Sequence, residues 1–164
     1  MFRLNKNLPA FTLVELLVVI SISTIFLTLG FSAYHQTQNR QTLHNAAKKT
    51  EAILRSIQKK AESGDKDCQG FFRYYHVHIS PNSNTITSQA ICKESQGNVK
   101  TYTLQEVKFV NGCTLHFRTL SQGLNIITPN QSSFDLTLQL ETNPNLTTNL
   151  KIAKPGLITA NNEN

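Results

Sequence analysis

No proline lies between Pro9 and Pro81, and Gly30 is the only glycine before Gly64. Proline and glycine are the residues that interrupt a helix most strongly, so nothing in that stretch forces a break. Charge is scarce at its start: in the run Phe11–Phe31, FTLVELLVVISISTIFLTLGF, the only charged residue is Glu15. No Walker loop, GxGxxG, HExxH or paired CxxC occurs anywhere. The sequence therefore carries none of the motifs for nucleotide binding, zinc proteolysis or paired-thiol chemistry. It has no internal repeat and, apart from an Asn-rich tail, no low-complexity tract. It reads as a chain with no catalytic residues and no cofactor, not an enzyme.

The run itself is long and apolar enough to cross a bilayer, whose hydrocarbon core takes about 20 such residues. A carboxylate there costs about 2.5–3.5 kcal/mol at the helix centre and less near an end, and such residues usually serve a function with a partner. Upstream lies a short basic leader, MFRLNKNLPA, with Arg3 and Lys6. Two plain readings compete. A secretory signal is cut after its apolar stretch, often at A-x-A, and Ser32-Ala33-Tyr34 matches that poorly. A signal anchor with an accidental Glu explains the apolarity but not the order PAFTLVELLVVI.

That order, with a basic leader, a small residue and then Phe-Thr-Leu-Val-Glu-Leu-Leu, resembles the class III signal of type IV prepilins and type II secretion pseudopilins. The match is close over Lys6–Ile20 and general beyond it. Prepilins usually carry Gly before the cut, where this chain has Ala10. The resemblance implies that a prepilin peptidase cleaves between Ala10 and Phe11 and N-methylates Phe11. It implies that Glu15 makes the assembly contact, meeting the Phe11 amine of a neighbouring subunit in a growing filament. The implied partners are other pilin or pseudopilin subunits, the peptidase and an assembly platform, with the ATPase on a separate chain. Before assembly the chain would be a single-pass inner-membrane protein. Its positive leader would stay cytoplasmic, its globular domain would lie outside, and a cell-surface or periplasmic filament would follow.

One continuous helix is expected from Phe11 to about Ser63. Past the apolar run, Leu43, Ala46, Ala47, Thr50, Ile53, Leu54, Ile57 and Ala61 recur at helical spacing and predict one buried stripe. Gly64-Asp65 should end it. Gly30 fits either a local melting point or close helix packing. Beyond Gly70 the period changes to two. Strands are expected at Phe71–Ile79, Asn84–Cys92, Lys100–Leu104, Val107–Val110, Thr114–Leu120, Phe134–Leu140 and Asn149–Ala153, separated by Gly, Asn and Pro turns. The expected fold is α+β: a long N-terminal helix, its first half transmembrane, packed on a small antiparallel sheet domain, as in pilins. The layout is a leader at residues 1–10, a transmembrane assembly helix at 11–33 and an amphipathic half at 34–64. A β-rich domain at 65–158 and a flexible tail at 159–164 follow. It resembles minor pilins and H-type pseudopilins more than the major type II pseudopilin, whose calcium loop is missing.

Cys68 and Cys92 flank the first hairpin and are the expected disulfide in an exported domain. The alternative pair is Cys92–Cys113, and Cys113 otherwise reads as a small free hydrophobe at a strand start. His76, His78 and His116 could ligate zinc or copper, but no fourth ligand is evident and no metal is expected. Phe71, Phe72, Arg73, Tyr74 and Tyr75 could stack bases, although alternate members filling a core is the preferred reading. Without the leader's two cations the 16 basic residues become 14, which against 10 acids leaves +4. That is a weak basis for nucleic acid, and the C-terminal region offers only Lys151 and Lys154. The function expected is therefore a structural minor pilin or pseudopilin subunit. The alternatives are a DNA-binding minor pilin for DNA uptake and a solitary membrane-anchored binding domain.

Overall fold

The computed structural model describes residues 12–119, 123–154 and 156–161; for 28–30, 32–33 and 161 it describes the backbone only. Among these, one helix precedes nine strands, which makes the fold α+β. Helix α1 spans Leu13–Ser63, as the absence of proline and near-absence of glycine allow. The strands are β1 (Phe72–Ile79), β2 (Thr85–Cys92), β3 (Lys100–Thr103), β4 (Val107–Phe109) and β5 (Cys113–Phe117). After them come β6 (Leu124–Thr128), β7 (Ser133–Leu140), β8 (Thr147–Ala153) and β9 (Leu157–Asn161). The chain divides into two compact units, Met1–Gln38 and Asn39–Asn164.

In the second unit, two antiparallel sheets run in the orders β3-β2-β1-β5-β6 and β4-β7-β8-β9. A bridge between Ser83 and Phe109 joins the β1–β2 turn to β4, and Phe109 is fully buried. The α1 stripe falls where its period places it. Leu43, Ala46, Leu54, Ile57 and Ala61 enter the same core as Val77, Ile79, Ile86, Leu115, Leu136 and Leu150, and Ile53 packs against its edge. Burying a side chain such as Leu54 or Ile57 contributes about 1.5–3 kcal/mol. Thr50 is buried within the stripe, and its hydroxyl donates to the Ala46 carbonyl at 2.9 Å. That bond removes the cost of an unpaired polar group.

Gly64 ends the helix with φ +69°. Its N–H bonds to the Ala61 carbonyl at 3.3 Å, and the Asp65 N–H bonds to the Lys60 carbonyl at 3.0 Å. This is the paired closure that a left-handed residue after a helix permits, and glycine adopts that conformation without a Cβ penalty.

Two expectations for the β-rich domain need correction. A flexible tail is expected at 159–164, but Thr159–Asn161 lie in β9, and 162–164 fall outside the described residues. β9 pairs along β8 from Ala153↔Leu157 to Asn149↔Asn161, with Ile158 buried. This pairing satisfies the backbone of the last residues of the strand. β6 fills a stretch where no strand was expected, and the strand expected to begin at Thr114 begins at Cys113 and ends at Phe117. Among the described residues, no helix is long and apolar enough to cross a membrane. The described side chains of the apolar run are those of 12–27 and Phe31, fewer than the ~20 that a bilayer core takes.

Candidate functional site

Three features carry chemistry: the start of α1, the disulfide region and the outer face of the five-stranded sheet. At the start of α1, Thr12 precedes the helix and its Oγ1 accepts from the Glu15 N–H at 3.3 Å. Thr-x-x-Glu is a capping arrangement, and a carboxylate in the first turn complements the helix dipole. Glu15 therefore has a local structural role as well as any contact it makes. The apolar residues of Leu13–Leu27 are each 50–75% exposed in the single chain. Exposed apolar surface on that scale marks an interaction or membrane site. The hydroxyls of Ser21 and Thr24 donate to the carbonyls of Leu17 and Ile20, each at 2.8 Å. Two of the polar groups in the run are thus satisfied inside the helix, as an apolar environment requires. Among the described residues no cation stands against the Glu15 carboxylate. Ala10 and Phe11, the expected cleavage and methylation positions, lie outside the described residues.

Cys68 and Cys92 are bonded, with Cα atoms 6.0 Å apart. The bond ties the segment after α1 to the end of β2. Around it, the Tyr75 hydroxyl donates to the Asp65 carbonyl at 2.8 Å, and the Gln69 N–H donates to Ser95 Oγ at 2.7 Å. Lys100 Nζ lies 3.7 Å from Asp67 Oδ2. Cys113 opens β5 as a free, buried thiol, which burial pushes up to about 12, so at neutral pH it stays protonated and inert.

On the outer face of the larger sheet, β1 and β5 set His76 opposite His116 and His78 opposite Thr114. His76 Nδ1 lies 3.1 Å from His116 Nε2, and the Tyr74 ring stacks on His116 at 4.1 Å and 15°. His78 Nδ1 lies 3.1 Å from Thr114 Oγ1, and its Nε2 lies 3.1 Å from Ser80 Oγ. The alternation of β1 placed these histidines outward. It could not reveal the His76–His116 contact, because that needs the strand order. The aromatic run is split between faces: Phe72 and Tyr75 are buried, Tyr74 is half-buried outside and Phe71 is exposed. The cations proposed for nucleic acid do not gather. Arg73 is on β1 of one sheet, Lys151 is on β8 of the other, and Asp135 faces Lys151 across β7–β8.

Burial lowers both imidazoles from the ordinary histidine value. His78 lowers His76 further, and His76 and then Arg118 lower His116 further. A histidine pKa lower in the folded than in the unfolded chain leaves stability untouched well above about pH 6.5. As pH falls through that value, the unfolded chain takes up protons first, and stability drops until the folded-state pKa values are passed. We expect melting temperature to fall more between about pH 7.5 and pH 5.5 in the wild type than in His116→Asn, which removes one of the two groups. Equal falls in differential scanning calorimetry would show that the pair contributes no such dependence.

No family model, curated protein or solved structure matches this chain.

Proposed function

We propose that the chain is a structural subunit of a type IV pilus or type II secretion-like filament, in the manner of a minor pilin or H-type pseudopilin. The observation that carries the reading is one juxtaposition: an exposed apolar stretch of helix whose first turn holds Glu15, the only charge of the run Phe11–Phe31, behind a basic leader that ends Pro9-Ala10. Prepilin peptidase removes residues 1–10 and methylates the Phe11 amine. The run Phe11–Phe31 holds the subunit in the inner membrane until assembly, then packs against the same helix of neighbouring subunits. Leu, Val, Ile and Phe contacts supply cohesion there. Glu15 selects axial register by pairing with a neighbouring Phe11 amine. The disulfide and the antiparallel sheets suit an extracytoplasmic domain, where thiols oxidise. Catalysis plays no part in this role.

Intact mass of the protein extracted from cells with an active prepilin peptidase tests the reading. The expected chain begins at Phe11 and carries one added methyl group. A mature chain beginning at Met1 sinks the filament reading in favour of a solitary membrane-anchored binding domain.

A further inference from the structure

Direct register across β1 and β5 brings His76 Nδ1 to 3.1 Å from His116 Nε2. Two ring nitrogens this close share one hydrogen when nothing else lies between them. The same spacing is what two imidazoles need in order to share one divalent ion. Bonds of about 2.0–2.1 Å place the two nitrogens about 2.9 Å apart at a right angle and about 3.3 Å apart at the tetrahedral angle. The observed separation falls between these limits.

The scaffold is rigid where it needs to be. β1 is paired on both sides by β2 and β5, and β5 on both sides by β1 and β6. Tyr74 stacks on the His116 ring and limits its rotation. Both imidazoles are only half-buried, so an ion and its waters can reach them.

We propose that His76 and His116 form a two-imidazole site for one late divalent transition ion, with water completing its coordination. Copper(II) should bind ahead of nickel(II) and zinc(II), the usual order for nitrogen ligands. On binding, the hydrogen between the rings moves to the far nitrogen of the donating ring. Each ring also turns so that both lone pairs, which face each other along the line of the hydrogen bond, converge on the ion, and no net proton is released. His78 is not a ligand, because Thr114 and Ser80 engage its two nitrogens. Among the described residues no group of three or more His, Cys, Asp or Glu is placed to hold an ion. The site therefore has two protein ligands and open positions, the form of an exchangeable site. The inference is independent of the filament reading, since it rests on the register of β1 and β5 alone.

The test titrates the untagged full chain with copper(II) chloride, followed by calorimetry and electron paramagnetic resonance. One ion per chain is expected, with hyperfine structure from two imidazole nitrogens. His76→Asn and His116→Asn should each weaken binding about tenfold or more, a loss that removing even an outer-shell partner of a metal typically brings. His78→Asn and His44→Asn should leave it unchanged. The proposal is overturned by no binding, by binding that His116→Asn does not weaken, or by an equal loss in His78→Asn. A second measurement uses the wild type only. Zinc chloride should protect His76 and His116 from diethyl pyrocarbonate while His35 and His44 still react. Absence of that selective protection overturns the proposal as well.

Discussion

We expect Glu15→Val to be cut and exported as the wild type is, and then to be missing from sheared filaments. The substitution leaves the leader and Ala10-Phe11 untouched, so the peptidase meets the same residues at the cut. Membrane insertion improves, because a cost of up to about 2.5–3.5 kcal/mol is removed. What should disappear under the proposed filament role is the attraction between the carboxylate and a neighbour's Phe11 amine, about 4 kcal/mol at 4 Å and an effective dielectric near 20, before desolvation. Desolvation cancels much of that, so the loss falls on register more than on gross cohesion. The capping role needs its own control. The valine variant keeps the backbone N–H that Thr12 Oγ1 accepts from, but it loses a side chain suited to the capping position three residues after Thr12, so it also weakens the helix start. Glu15→Gln retains a side chain suited to that capping position and removes the charge. If the glutamine variant is also excluded from filaments, the charge carries assembly. If it enters at the wild-type level and the valine variant does not, Glu15 is a cap. If both enter at that level, it is not an assembly contact at all.

The helix and the core were the most legible parts of this chain, for a definite reason. From Leu43 to Ala61 the apolar residues repeat with the period of a helix, and every full-length member of that stripe is buried or packs on the core. In β7, Phe134 to Leu140 alternate strictly, and Leu136, Leu138 and Leu140 all point inward. Where local pattern and tertiary demand coincide, the residues reveal the structure. β6 shows the opposite case. Its adjacent Ile126 and Ile127 break the alternation, one buried and one exposed, beside an irregular register with β5 at Thr114/Leu115. β9 is only five residues long, and it exists because β8 offers an edge to pair with. No local signal announces a strand that depends on a partner elsewhere in the chain.

The same distinction separates the candidate sites. Glu15 stands out because it is a lone charge in an apolar run, which is a property of the sequence by itself. The His76–His116 pair does not, because its members are 40 residues apart. Sequence spacing pairs His76 with His78, two positions along one strand face. The register of β1 on β5 instead gives His76 the partner across the strand, and commits His78 to Thr114.

Loss of the disulfide is the second large effect. The Cys68→Ser, Cys92→Ser double variant is expected to lose about 3–3.5 kcal/mol, the chain-entropy value for a loop of this length. The two cysteines are 24 residues apart in sequence. A domain of this size has about 5–15 kcal/mol in total, so the loss removes a large share of its stability. Melting temperature should drop by roughly 6–28 °C, given about 2–8 °C per kcal/mol over this size range. The effect reaches the helix end, because the bond ties the segment after Gly64 to β2, and Asp65 there accepts from the Tyr75 hydroxyl. Cys113 offers no substitute partner: it is buried at the start of β5, with its thiol protonated. A Cys68→Ser single variant should therefore keep two free thiols rather than form a Cys92–Cys113 bond, which peptide mapping without reduction reads directly. Finding Cys92 joined to Cys113 in the wild type would overturn the pairing. A double variant that melts with the wild type would show that the bond constrains an unfolded chain already held compact there.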